Sequence, residues 1–207
     1  MTGDPGDQER VSAPFPGAAF DVVAISASAG GFNAVREVLG GLSHDFPASI
    51  AIVQHLDPRH RSVMAELLAR RCELTVKQAG EGDVMTPGCV LIAPPDRHLL
   101  INPDGSISLT QTELVHFLRP SGDLLFESVA ASYRDRAIGV VLSGTGTDGA
   151  QGVEAIKKMK GTVIAQDRES SEFFGMPQAA IRTGSVDFVL ALDEIAPTLE
   201  KLVRQGA

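Results

Sequence analysis

Basic residues are in short supply. The 207-residue chain carries 18 Lys and Arg against 26 Asp and Glu, a formal charge of −8, and no Lys/Arg block breaks that excess. Such a surface repels polyanions on average, which argues against a nucleic-acid partner. Long apolar runs are absent as well: no stretch approaches the length needed to span a bilayer, so no membrane insertion is expected. The opening MTGDPGDQERVSAPFPGAA puts Asp, Pro and Gly where a secretion signal needs a basic start and an apolar centre, and a cytoplasmic location is expected. Only two cysteines occur, Cys72 and Cys89, far apart and outside any CxxC. They read as thiols in the packing rather than as chemistry.

With 43% hydrophobic residues the chain can bury a full core, and its length fits one globular domain. Residues 1–18 are polar and rich in Pro and Gly, the composition of a flexible tail, and the folded domain is expected over 19–204. Short β-branched runs then alternate with helical patterns: FDVVAIS with NAVREVLGGL, SIAIVQH with SVMAELLARR, AIGVVLSG with AQGVEAIKKM, GTVIAQD with MPQAAIRTG, and DFVLAL with DEIAPTLEKLV. Continuously apolar strands separated by amphipathic helices predict an α/β fold, a doubly wound, mostly parallel sheet with helices on both faces. Between residues 73 and 118 the runs LTVKQ, CVLIAP, HLLI and SISLT are short, and NPDG between the last two is a strong turn signal. That stretch is expected to form a small antiparallel hairpin excursion from the main sheet.

In an open parallel sheet, sites form beyond the carboxyl ends of the strands. Three such ends carry polar residues suited to catalysis. Ser28 follows FDVVAI and precedes a helix, with Gly30 and Gly31 leaving the approach unobstructed. His55 ends SIAIVQH. The turn SGTGTDGA after AIGVVL places Gly144 and Gly146 around Thr145, with Asp148 near the start of the next helix. A nucleophile needs a base, and a neutral imidazole needs a carboxylate to hold its tautomer. Ser28, His55 and Asp148 supply those roles.

Each feature has a plainer reading. A Gly-rich turn after a first strand more often binds phosphate or serves packing, although SASAGG has neither the GxGxxG spacing nor a Walker lysine. Asp148 is also well placed to cap its own helix, a role compatible with a triad. His44, His60, His98 and His116 read as surface or satisfied core residues. HLDPRH offers His55, Asp57 and His60 to a metal, but their spacing matches no standard zinc pattern, so neither metal nor cofactor is expected.

The stretches VVAISASAGGFNAVREVL, IVQHLDPRHRSVMAELLARR, GCVLIAPPDRHLLI, LRPSGDLLFESVA, GVVLSGTGTDGAQGVEAIK and AQDRESSEFFGMPQAAIRTGSVD run in order from about residue 20 to residue 200. In them the chain resembles the catalytic domain of CheB-type protein-glutamate methylesterases of bacterial chemotaxis. The resemblance implies Ser28 as nucleophile, His55 as base and Asp148 as its carboxylate, with the backbone amides of Thr145 and Ala29 at the oxyanion. It implies demethylation of glutamate γ-methyl esters on the cytoplasmic helical bundle of chemoreceptors, and deamidation of glutamine at similar positions.

Three departures stand out. Most members carry an N-terminal receiver domain, whereas only a short tail precedes the first strand here, so phospho-control within this chain is not expected. Ala29 stands where many members have Thr, and Thr145 where many have Met. The same forms look like the esterase halves of fusions with methyltransferase and sensor modules, which leaves those modules, or a separate response regulator, as candidate partners. The readings that compete are a non-catalytic module on this fold that docks on receptors or a signalling kinase, and a nucleotide-binding domain using residues 26–31.

Overall fold

The computed structural model describes residues 15–55 and 62–205. The first half of the chain gives β1 (Val22–Ala27), α1 (Gly31–Gly40), β2 (Ser49–Gln54), α2 (Met64–Ala69), β3 (Thr75–Gln78), β4 (Cys89–Ile92), β5 (His98–Ile101) and β6 (Ile107–Thr110). The second half gives α3 (Gly122–Tyr133), a 3₁₀ turn at Arg134–Arg136, β7 (Ala137–Val141), α4 (Ala150–Lys158), β8 (Thr162–Gln166), α5 (Gly175–Arg182), β9 (Phe188–Leu190) and α6 (Leu192–Gln205).

Seven strands form one sheet in the order β3-β4-β2-β1-β7-β8-β9, every neighbouring pair parallel. The central strands β1, β2 and β7 are buried at every position, which is why their sequences read as unbroken apolar runs. Alternate residues of β1 feed two cores. Val23 and Ile25 pack with Val35 of α1 and Leu199 of α6. Val22 and Ala24 pack on the other face with Phe126 of α3, Val153 of α4 and Met176 of α5.

The stretch 73–118 contains the expected antiparallel hairpin, β5–β6, but its first two strands do not belong to that excursion. β3 and β4 belong to the main sheet, with Val76 beside Val90 and Val90 beside Ile50. Only β5 and β6 form an antiparallel pair. Parallel neighbours usually need a helical crossover, and none lies between LTVKQ and CVLIAP. Here the loop 79–88 makes the crossover by bonding to the β5–β6 hairpin: Gly82 N donates to Ile107 O, Met85 N to Gly105 O, and Ile107 N to Asp83 O. The alternating pattern also passed over α3. That helix is buried at Leu125, Phe126, Val129, Ala130 and Tyr133 and packs against β1, β5 and α4, so its apolar stripe is too broad to stand out.

The tail expected over 1–18 lies outside the described residues as far as 14. From there Phe15 N donates to Asp21 Oδ1, and Ala18 O accepts from Arg136 Nη2. Cys72 and Cys89 are free thiols, half-buried and buried. No helix among the described residues is long and apolar enough to cross a membrane.

Candidate active site

β1 and β2 run in register with Ala27 beside Gln54, so the next residue of each strand, Ser28 and His55, leaves the sheet at the same level. His55 N donates to Ala27 O (3.1 Å), which fixes that level. On the other side of β1, Ser28 N donates to Ser143 O at the end of β7 (3.0 Å). The three strand ends picked out by the sequence therefore meet. The Ser28 loop is shaped through its backbone: Ser28 O accepts from Gly31 N (2.8 Å) and from Gln54 Nε2 (2.7 Å), and Gly30 takes the left-handed φ of 71° that turns the chain into α1. Among the described residues the Ser28 hydroxyl has no hydrogen-bond partner, which leaves its oxygen free to react.

The third residue is held by its side chain. His55 Nε2–H donates to Asp148 Oδ2 at 2.8 Å, with the imidazole 11% exposed and the carboxylate fully buried. The carboxylate also accepts from Ser121 Oγ (2.8 Å), Gly122 N (2.6 Å) and Asp123 N (3.1 Å). Burial on its own would raise the Asp148 carboxyl; the hydrogen bonds from His55, Gly122 and Asp123, with the attraction of His55, outweigh it and hold the group below the usual carboxylate range. Asp148 is thus ionised and fully engaged, and His55 Nδ1 is the ring nitrogen left for proton transfer.

Asp148 does not cap its own helix. The N-cap of α4 is Gly149, in a left-handed conformation with no side-chain bond, and Asp148 turns instead to the N-terminus of α3. Ser121, Gly122 and Asp123 therefore belong to the site although the strand-end argument passed over them. Their signal was local: a Ser N-cap followed by Asp in the first turn.

The turn 143–146 closes the third side. Gly144 N and Gly144 O are taken by Phe173 O and Met176 N, and Ser143 Oγ bridges to Ala29 O and accepts from Phe173 N. The segment 172–176 therefore braces the turn, a role the sequence reading also missed. Thr145 and Gly146 are exposed, and among the described residues the amides of Thr145 and Ala29 have no acceptor. Both lie beside Ser28, one next to Gly144, whose Cα faces the serine side chain, and the other at the N-terminal end of α1. Free amides at a helix start favour a developing negative charge.

None of the other described histidines bonds to Ser28, His55 or Asp148. His98 is fully buried with Nε2 against Glu113 O, and burial holds its pKa below the ordinary value. His44 is exposed near Glu73, and His116 faces Asp123 at 3.7 Å. His60 and Asp57 lie outside the described residues, among which no group of three could hold a metal ion.

Comparison with known proteins identifies the family. The CheB methylesterase family model matches residues 23–199. A protein-glutamate methylesterase/protein-glutamine glutaminase 2 of Anaeromyxobacter dehalogenans is 44% identical over 197 residues, covering 95% of this chain and 58% of that protein. A relative from Leptospira interrogans, described as a protein-glutamate methylesterase/protein-glutamine glutaminase, is 40% identical over 183 residues, 88% of this chain and 95% of its own length. The crystal structure of the Thermotoga maritima CheB methylesterase catalytic domain superposes with a TM-score of 0.86 at 36% identity, covering 89% of this chain and 100% of that one. With the match running through nearly the whole sheet and all three strand ends of the site, the chain belongs to the CheB methylesterase family.

Proposed function

We propose that the protein is a serine hydrolase that removes methyl groups from glutamate γ-methyl esters on the cytoplasmic helical bundle of chemoreceptors. The observation that carries this reading is the buried Asp148–His55 pair, 2.8 Å between Oδ2 and Nε2, set level with a Ser28 hydroxyl that has no partner among the described residues. The names of the relatives point the same way.

The steps follow from the groups present. Ser28 Oγ attacks the ester carbon while His55 Nδ1 takes the hydroxyl proton, and Asp148 stabilises the imidazolium. The amides of Thr145 and Ala29 receive the charge on the carbonyl oxygen. As the C–OCH₃ bond breaks, His55 returns the proton and methanol leaves. Water then attacks the acyl-serine, His55 takes its proton and gives it back to Ser28 Oγ, and glutamate is released. Deamidation of a γ-amide uses the same steps with ammonia leaving. The small methyl group offers little to grip, so recognition falls to the protein surface around it. A separate response regulator, or methyltransferase and sensor modules, would then control access.

Methanol release from methylated receptor cytoplasmic fragments tests the reading. Ser28→Ala is expected to lower release by at least about 10³-fold without changing thermal stability. Fragments that bind both forms with no release from either would mark a docking module instead.

A further inference from the structure

Asp148 is not the only buried acid at this end of the site. Asp123, in the first turn of α3, is 2% exposed. Its backbone amide donates to Asp148 Oδ1, and its own Oδ1 accepts from Gly152 N, in the first turn of α4, at 2.8 Å. Asp148 lies two residues before α4 and caps α3; Asp123 lies in α3 and caps α4. The two helix starts thus exchange carboxylates. The contact is close enough that a Cβ on Gly152 would come within 2.5 Å of Phe126 Cβ and 3.1 Å of Asp123 Cα.

Among the described residues Asp123 Oδ2 has no hydrogen-bond partner, an expensive arrangement for a buried carboxylate. Among the described residues the charged groups that face it are Asp148 and, from the β6–α3 connection, the half-exposed side chain of His116, whose Nε2 lies 3.7 Å away. The backbone amides of Gly149 and Gly152 complete its surroundings. A residue present only to fasten two helices needs one acceptor; an asparagine would supply it without the charge.

We propose that Asp123 is a positioning residue that acts through Asp148: it locks the α4 start carrying the catalytic carboxylate, and its charge helps stabilise the His55 imidazolium as the serine proton is taken. Burial, ahead of the neighbouring Asp148 charge, pushes the Asp123 carboxyl up to about 6, while Gly152, Gly149 and His116 oppose that rise. The charge is therefore present at pH 7.5 and absent at pH 5. A carboxyl whose folded pKa is raised stabilises the fold below its unfolded value, and that contribution is lost as pH rises through about 6. Ionised Asp123 thus works against stability while it serves the reaction.

This inference rests on the esterase reading above, and the same assay separates the two. The 207-residue chain and its Asp123→Asn variant are compared for methanol release from methylated receptor fragments, with Ser28→Ala as the control. At pH 7.5 kcat of the Asn variant should fall about 10-fold with KM unchanged. Its thermal midpoint should be equal or higher, because Asn Oδ1 still accepts from Gly152 N. At pH 5, where both side chains are neutral, the kcat ratio should approach one. A ratio of one throughout, a ratio that does not change with pH, or a loss confined to KM overturns the proposal. Absence of any Ser28-dependent release from the wild type overturns the esterase reading, and this one with it. If Asp123→Asn does not fold, His116→Ala carries the test. Without His116 the Asp123 carboxyl ionises at higher pH, so kcat should drop relative to wild type only in a window just above pH 6, and a pH-independent ratio is again the contrary result.

Discussion

The serine end and the acid end of the site are held by opposite means. Ser28 is fixed through its backbone, by Ser143 O, Gly31 N and the Gln54 amide, and its hydroxyl is left free by the described residues. Asp148 is fixed through its side chain, by His55, Ser121, Gly122 and Asp123, and both oxygens are engaged. A nucleophile has to move toward a carbon, so its side chain cannot be tied; a buried charge that only stabilises its neighbour must be tied on every side. Rigidity is placed according to what each group has to do.

The contrast can be broken from either end. The largest effect is expected at the acid end. Asp148→Asn leaves an amide where four donors converge and removes the hold on the His55 tautomer; the equivalent change costs about 10⁴-fold in a serine protease, and a kcat loss of that order should appear here in single-turnover kinetics.

Gly144→Ala strikes the serine end through its packing. The new Cβ would lie 2.2 Å from Met176 Sδ and 2.9 Å from Ser28 Cβ. Overpacking of this kind costs about 1–3 kcal/mol, and pushing the serine aside should lower kcat about 10²-fold. Calorimetry and kinetics together check it, and a variant with wild-type activity would show that the turn yields freely.

The smallest effect sharpens the comparison instead. Ser121→Ala removes one of the four donors to Asp148 and the N-cap of α3, in which Ser121 Oγ accepts from Leu124 N at 3.5 Å. Urea denaturation should show about 1–2 kcal/mol lost, with kcat down only a few-fold because three donors remain. A collapse of activity comparable to Asp148→Asn would mean the hydroxyl, rather than the helix amides, orients the acid.

Ser28, His55 and Asp148 were legible in the sequence because each follows an apolar strand, and a parallel sheet gathers such ends on one edge. The sheet itself was legible for the same reason, since strands buried on both faces leave unbroken runs. What surrounds Asp148 was not. Ser121 and Gly122 meet it only after the chain has closed a loop of 26 or 27 residues, and nothing in the local pattern of SGD names a partner that far away. Asp148 looked like a cap for α4 because sequence proximity favours the nearest helix; the fold assigned it to α3. β3 and β4 were misjudged because strands of four residues are too short to declare their direction, which the 79–88 loop decides through its bonds to the hairpin.

The exchange of carboxylates between α3 and α4 also bears on when the site comes into being during folding. Neither helix start gains its carboxylate partner until the other has docked, so the acid cannot be locked in place by a chain that has formed only one of them. An incompletely folded or clipped copy carries a serine and a histidine with no anchored acid, and is expected to be inert rather than a loose, indiscriminate esterase.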